Sequence, residues 1–523
     1  MRHMSDIKRR EFLRQAGFGS ALLFAGSLDV WADESRYGHA SKDFHPDLEI
    51  ALRATPDVVS ILSGGDTDVW TYHSELLKGT AENLQEIDGS YLGPIIRVKR
   101  GQKIRIHFTN NIPEPSIVHW HGLHVPESAD GHPRFVIPEG KTYVYEFEIK
   151  NRAGTYWYHP HPHGRTGAQV YFGMAGLFII TDDEEHAAGL PSGDYDIPVV
   201  IQDRSFDNQN QLVYLTHMME RMAGFVGDQV LINGKADASF DVATRAYRFR
   251  LFNGSNSQIY KLAWSNNTPL TVIGTDGGLL EKPVQRDYLI LAPAERVDIW
   301  VDFSKYSVGT ELALHSLPMP VMSMHGRMRG MGRGRGPGRM MGGGPVGGET
   351  RALFQVRIDR KETEDDVLPD RLSSINRLVL DDAINHNSPR TFRFEMQRMR
   401  ATINGRDYEM GAVADDEVVK LDTTEVWEFV NAGGVDPMPH PVHVHEVQFQ
   451  ILERSWSGAP TEEWDVLKDG FVDEGLKDTV LLLPGMNAKV LMRFEDYTGL
   501  FLYHCHNLEH EDLGMMRNFR IEA

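Results

Sequence analysis

Apolar and polar residues alternate with a period of two in many short runs of this chain. Lys103-Ile104-Arg105-Ile106-His107-Phe108 is one such run, and Tyr143-Val144-Tyr145-Glu146-Phe147-Glu148-Ile149 is another. Successive side chains of a strand point to opposite faces, so these runs predict strands with one face on a core. Gly and Pro separate the runs, and long stretches of helical period are hard to find. The pattern predicts an all-β protein of antiparallel sandwiches or barrels.

A weak internal repeat divides the pattern into three units. Asp88-Gly89 precedes a strand that ends at Asn110. Asn233-Gly234 precedes one that ends at Asn253, and Asn404-Gly405 precedes one that ends at Asn431. The units are expected at 45–186, 190–317 and 370–523. Between the second and third lies a segment, 318–350, of Met, Gly and Arg. Met319, Met322, Met324, Met328, Met331, Met340 and Met341 fall within it. Such a composition builds no packed core. A flexible linker has no need of methionine, whereas thioether sulfur is a soft ligand suited to Cu(I).

Length and charge narrow the reading. The 523 residues are enough for roughly three domains of about 150 residues each. Lys and Arg total 54 against 74 Asp and Glu, a net charge of −20. That balance argues against a nucleic-acid partner, which calls for a basic face. One cysteine rules out an intrachain disulfide framework and a paired-cysteine zinc site. At the start, Lys8-Arg9-Arg10-Glu11-Phe12-Leu13-Arg14 leads into an apolar run, Ala16 to Leu28. About 13 residues are too few to span a bilayer, which takes about 20. Residues 1–32 are therefore expected to be an export signal that resembles the twin-arginine type. The expected destination is the periplasm, reached through the twin-arginine export machinery, with a soluble monomer as the mature form.

Four histidine clusters carry the chemistry. They are His119-Trp120-His121, His159-Pro160-His161, His443-Val444-His445 and His504-Cys505-His506. On a strand, the two rings of each pair share a face, and eight imidazoles in four pairs are not a core-packing pattern. The lone Cys505, with His510, Met515 and His440, matches the two-His, one-Cys, axial-Met set of blue copper. Cys505 must point away from His504 and His506. One centre thus sits on the thiol, the other on the imidazoles, with a short covalent path between them.

The motifs HWHGLH, WYHPH, HPVHVH and HCHNLEHEDLGM resemble, complete and in order, those of three-domain multicopper oxidases. The resemblance implies three consecutive cupredoxin-like Greek-key domains and four copper ions. It implies His440, Cys505, His510 and Met515 on the type 1 copper, and His119 and His443 on the type 2. His121, His159, His161, His445, His504 and His506 are implied for the type 3 pair. It also implies two acids near the cluster: Asp130 as an orienting group and Glu511 as a proton donor. His124 and His163 match no ligand position. Within that family the chain looks most like bacterial oxidases that oxidise Cu(I) and reduce dioxygen to water. Asp436 and Met438, just before His440, and the methionines of the 318–350 segment would then hold Cu(I). A laccase taking a small aromatic reductant is the alternative, with ferroxidase or manganese oxidase activity behind it. A copper-free structural relative is a distant third.

Overall fold

The computed structural model describes residues 38–319, 349–363, 367–397, 400–433, 438–456 and 462–523. The expected export signal, Met322, Met324 and Asp436 lie outside them. Among the described residues six sheets pair off, two to a unit. The first unit joins a four-stranded sheet containing Leu48–Val59 and Lys103–Asn110 to a five-stranded sheet containing Val118–His121 and Gly154–Pro160. The second and third units each join a six-stranded to a five-stranded sheet. Three apolar clusters fill these units, around Trp120, Phe249 and Trp427 respectively. Among the described residues, no helix is long and apolar enough to cross a membrane.

The sheets are mixed, which corrects the expectation of antiparallel sheets. Each unit contains two parallel contacts in equivalent places. Leu48–Val59 runs parallel to Lys103–Asn110, Asp196–Arg204 to Ala246–Asn253, and Arg390–Gln397 to Thr423–Asn431. In the other sheets, Ile95–Lys99 runs parallel to Gly176–Thr181, Ser239–Ala243 to Arg351–Arg360, and Val418–Lys420 to Met516–Glu522. Alternation in a sequence records which face is buried. It does not record the direction of the neighbouring strand.

The closing asparagines of the repeat are buried clamps. Each side-chain amide donates to a carbonyl of its exit loop and to one on a facing segment. Asn110 Nδ2 reaches Glu114 O and Ile137 O, both at 2.9 Å. Asn253 Nδ2 reaches Gln258 O at 2.8 Å and Leu291 O at 2.9 Å. Asn431 Nδ2 reaches Met438 O at 2.7 Å and Leu482 O at 3.3 Å. Each Oδ1 also accepts a backbone N–H two residues on, from Ile112, Ser255 and Gly433. A buried amide satisfied this fully fixes the loop that leaves its strand.

The second unit does not close at 317. Glu311–Ser316 pairs antiparallel with Arg351–Arg360, Ser316 facing Arg351. The methionine-rich segment therefore joins two adjacent strands of the second unit instead of linking two units. The composition breaks at 318, but the strand that completes the sheet lies beyond the break. In the third unit the same connection, between Gly499–Cys505 and Met516–Glu522, carries His506, His510 and Met515.

Candidate metal centres

Two antiparallel strand pairs build the site. In the first unit Val118–His121 pairs with Gly154–Pro160, placing His119 opposite His159. In the third, His440–Val444 pairs with Gly499–Cys505, placing Val442 opposite Cys505 and His443 opposite His504. Alternation sorts the side chains. Val442, Val444, Tyr503 and Cys505 enter the third unit's core. His443, His445, His504 and His506 leave by the other face and meet His119, His121, His159 and His161 of the first unit.

The eight rings form a buried cage. His119 and His443 bring their Nε2 atoms to 3.4 Å. The Nε2 of His504 lies 3.3 Å from that of His161 and 3.1 Å from that of His445. His121, His159 and His506 form a third group, with ring centroids 5.0 Å apart for His121–His506 and 5.4 Å for His159–His506. His119 stacks on His445 at 3.7 Å and His121 on His443 at 3.6 Å. Ligand atoms of His119, His443 and His445, of His119, His121 and His159, and of His161, His445 and His504 lie close enough to share an ion.

The neighbours aim the rings. Nδ1 of His119 donates to Asp130 O at 2.5 Å, and Nδ1 of His445 shares a hydrogen bond with Asp130 Oδ2 at 2.9 Å. Nδ1 of His443 donates to Asp478 O at 2.8 Å, and Nδ1 of His159 to Pro160 O at 2.9 Å. A carbonyl can only accept, so the rings of His119, His443 and His159 carry their proton on Nδ1 and offer Nε2 as a lone pair. Burial holds His119 neutral, with its pKa lowered to about 3. Burial lowers His121, His159, His161, His443, His445 and His506 in the same direction.

The thiol centre lies on the other face. Cys505 Sγ is 3.4 Å from His440 Nδ1 and 3.7 Å from His510 Nδ1. The Asn507 N–H points at the sulfur from 3.4 Å. The Asn507 side chain also accepts the His510 N–H at 3.3 Å, capping the Leu508–Asp512 turn that presents His510. Met515 is fully buried in the same apolar cluster as Cys505, and its carbonyl accepts the Cys505 N–H at 3.0 Å. Burial pushes the Cys505 thiol up, so only a bound cation would make it a thiolate.

Glu511 belongs to this turn and faces the cage. Its carboxylate lies 3.2 Å from His504 Nδ1 and 3.6 Å from His161 Nε2. Burial pushes this carboxyl up, but the two imidazoles outweigh it and hold the group at about 2. For Asp130 burial wins, and its carboxyl is raised well above the usual range. Met319 is packed in an apolar cluster with Val226, Ile259 and Met486, its sulfur away from solvent. Met438 is buried beside the strand of His440. His163 packs against Tyr408.

One residue escaped the motif reading. Asp478 lies 3.1 Å from His121 Nε2 through Oδ1, besides its bond to His443. Arg296 holds it from below, Nη1 to Oδ1 at 2.8 Å and Nη2 to Oδ2 at 2.5 Å. The same guanidinium donates to Thr155 O of the first unit at 2.9 Å and to Asp276 O at 3.1 Å. Lys477 joins at 3.1 Å from both Asp276 and Glu295. This buried network ties all three units together under the cage. Asp478 carries no local signal, because it stands alone in an ordinary strand-like stretch.

Three family models, all described as multicopper oxidase, match residues 68–185, 199–310 and 383–523. A multicopper oxidase of Staphylococcus aureus is 32% identical over 449 residues, which is 86% of this chain and 86% of that protein. The chain is a member of the multicopper oxidases. A laccase of Bacillus subtilis is 28% identical over 491 residues, covering 82% of this oxidase and 88% of the laccase. The solved multicopper oxidase McoA of the hyperthermophile Aquifex aeolicus superposes with a TM-score of 0.75 at 34% identity, over 92% of this oxidase and 97% of that chain.

The oxidase is therefore an oxygen-dependent oxidoreductase whose cofactors are copper ions of types 1, 2 and 3. Its residues fit those ions. Nδ1 of His121, Nε2 of His159, Nδ1 of His161 and both nitrogens of His506 are buried without a hydrogen-bond partner. A buried polar atom left this way costs about 1–3 kcal/mol, which a bound metal would recover. On the other face, one soft sulfur with two imidazole nitrogens is a copper donor set.

Proposed function

We propose that this oxidase takes single electrons from Cu(I) at the Cys505 centre and uses them to reduce dioxygen to water at the histidine cage. His440, Cys505, His510 and Met515 hold the type 1 copper. His119 and His443 hold the type 2 copper, and His121, His159, His161, His445, His504 and His506 hold the type 3 pair. Bound there, the coppers supply the one-electron steps and the four-electron chemistry of dioxygen. Cys505 links the two centres through the backbone to its neighbours His504 and His506. Asp130 holds His119 and His445 in register. Glu511, an ionised carboxylate within 3.6 Å of two cage imidazoles, is a proton relay and not the donor the resemblance implied: it takes up each proton before passing it on.

Met438 carries the choice of Cu(I). It is buried, two residues from His440, and its carbonyl is pinned by Asn431. Asn431 also holds Leu482, which faces His440 in register. A thioether two residues from the type 1 imidazole favours a soft monovalent donor. Asp436, Met322 and Met324 supply further ligands in the sequence, whereas Met319, expected among them, is packed into an apolar cluster. Oxidation of phenols is the second reading, supported by the likeness to a laccase. Burial does not separate the two donors, since His440 is 1% exposed, His510 0% and Met438 3%.

Steady-state kinetics of Met438→Leu with Cu(I) and with a phenol decide between them. The expected result is a fall of about tenfold in kcat/KM for Cu(I) with phenol turnover unchanged. Equal effects on both donors would remove the Cu(I) reading. We place the enzyme in the periplasm on the strength of Arg9-Arg10 and the apolar run after it. Replacing both arginines by lysine should retain the chain in the cytoplasm; a variant still exported would refute this.

A further inference from the structure

The second unit sends one short helix, Met218–Ala223, across the third unit's copper-binding turn. Its sequence is Met218-Met219-Glu220-Arg221-Met222-Ala223. Residues three and four apart on a helix are neighbours, so Met222 shares a side with both Met218 and Met219. Met218 is 57% exposed and Met219 43%. Met222 is half-buried, so three thioethers gather on one side of the helix, two of them facing solvent.

The helix is held firmly in place. At its start, Glu220 Oε2 accepts the His217 N–H at 3.1 Å and the Thr216 hydroxyl at 3.2 Å. On either side of it, Tyr214 donates to Glu509 Oε1 at 2.7 Å and the Phe225 N–H to Glu509 Oε2 at 2.9 Å. Asn256 Nδ2 adds a third bond to Glu509 at 2.8 Å. Glu509 precedes His510, so these bonds fasten the helix directly to the Leu508–Asp512 turn. The His510 ring completes the connection. Its Nε2–H donates to Met222 O at 2.9 Å, while its Nδ1 faces Cys505 Sγ. The methionine surface is therefore one residue and one hydrogen bond away from a type 1 ligand.

We infer that Met218, Met219 and Met222 form a docking site for Cu(I), and that the electron leaves it through the Met222 carbonyl and the His510 ring. This rests on the reading of Cu(I) as donor. A cluster of thioethers binds the soft monovalent ion and releases the harder divalent product, which prefers nitrogen and oxygen. Each Cu(I) gives up one electron and departs as Cu(II). Four such events, with four protons, convert one dioxygen to two waters.

The test is the triple variant Met218→Leu, Met219→Leu, Met222→Leu in the full-length, copper-loaded enzyme. Leucine keeps the apolar bulk and the helix propensity and removes only sulfur. A retained blue colour and unchanged phenol turnover report an intact fold. Ag(I), a redox-inert stand-in for Cu(I), is titrated against both proteins. The variant should bind at least one Ag(I) fewer, and its KM for Cu(I) should rise about tenfold. Equal Ag(I) stoichiometry together with an unchanged KM, in an enzyme that does turn over Cu(I), overturns the helix as the site. A wild-type enzyme that binds Ag(I) on this surface yet fails to oxidise Cu(I) overturns the donor reading, and the delivery step with it.

Discussion

The thiol centre and the histidine cage share three consecutive residues but are built on different principles. His440, Cys505, His510 and Met515 all belong to the third unit, and Cys505 and Met515 are part of its apolar core. The cage instead takes four imidazoles from the first unit and four from the third. Its alignment depends on how two units dock. Arg296 of the second unit, bonded to Thr155 and Asp478, is the brace between them. Asp512 adds a second tie, accepting the Thr166 and Gly167 N–H groups of the first unit at 2.8 and 3.1 Å. One centre is thus a property of a core, the other of an assembly.

If so, the two centres should be separable by mutation. The largest effect is expected from Cys505→Ser, which removes the only sulfur that is covalently connected to the cage. The variant should lose its blue colour and its turnover with every donor, while copper analysis still finds the cage filled. Residual turnover with a fast donor would break the assignment of Cys505 as the sole route. Glu511→Gln should act on the other side. It keeps the shape, removes the carboxylate that relays protons and should slow dioxygen reduction by about a hundredfold. Reduction of the type 1 copper by the donor, followed in stopped flow without oxygen, should keep its rate. If both rates fall together, Glu511 supports the turn and not the proton supply.

Arg296→Leu is the sharper test of assembly against core. It leaves Asp478 and Asp276 as buried carboxylates without their guanidinium, a loss expected to cost about 3–5 kcal/mol. Copper bound in the cage should drop, whereas the blue type 1 signal should persist. Equal loss at both centres would show that the third unit itself depends on the brace.

The sequence showed the cage more clearly than what supports it. An H-x-H pair states its own geometry, because period two puts both rings on one face. The placement of Cys505 opposite His504 and His506 follows from the same rule. The recurring asparagine was also visible, and its repeated role as a clamp explains why it recurs. The rest was hidden for one physical reason. Asp478, Arg296 and the Met222 carbonyl act across long sequence separations and between units, and nothing local distinguishes them. Strand direction and the ownership of Arg351–Arg360 are equally matters of pairing, which burial patterns leave open.

The smallest effect is expected at the outer wall of the cage, where only one of the two centres has a neighbour. His124 lies between two acids, with Nδ1 2.9 Å from Glu446 Oε1 and Nε2 3.0 Å from Asp496 Oδ2. Burial opposes a charge on this ring, but the carboxylates of Glu446 and Asp496 outweigh it and raise His124 from 6.5 to about 9. Burial also pushes the Glu446 carboxyl up, yet with two acids on one ring the imidazolium is the state that prevails. A group raised on folding binds its proton more tightly in the native state. Its stabilisation is therefore complete below pH 6.5 and is lost as pH climbs through about 9. His124→Gln should lower the thermal midpoint at pH 6, by an amount equivalent to about 2 kcal/mol. Towards pH 10 the two midpoints should converge. Glu446 adjoins His445, so any loss of bound copper at low pH should fall on the cage and spare the blue centre. A midpoint difference that stays constant from pH 6 to 10 would mean that His124 contributes packing alone, and that no charge holds this wall in place.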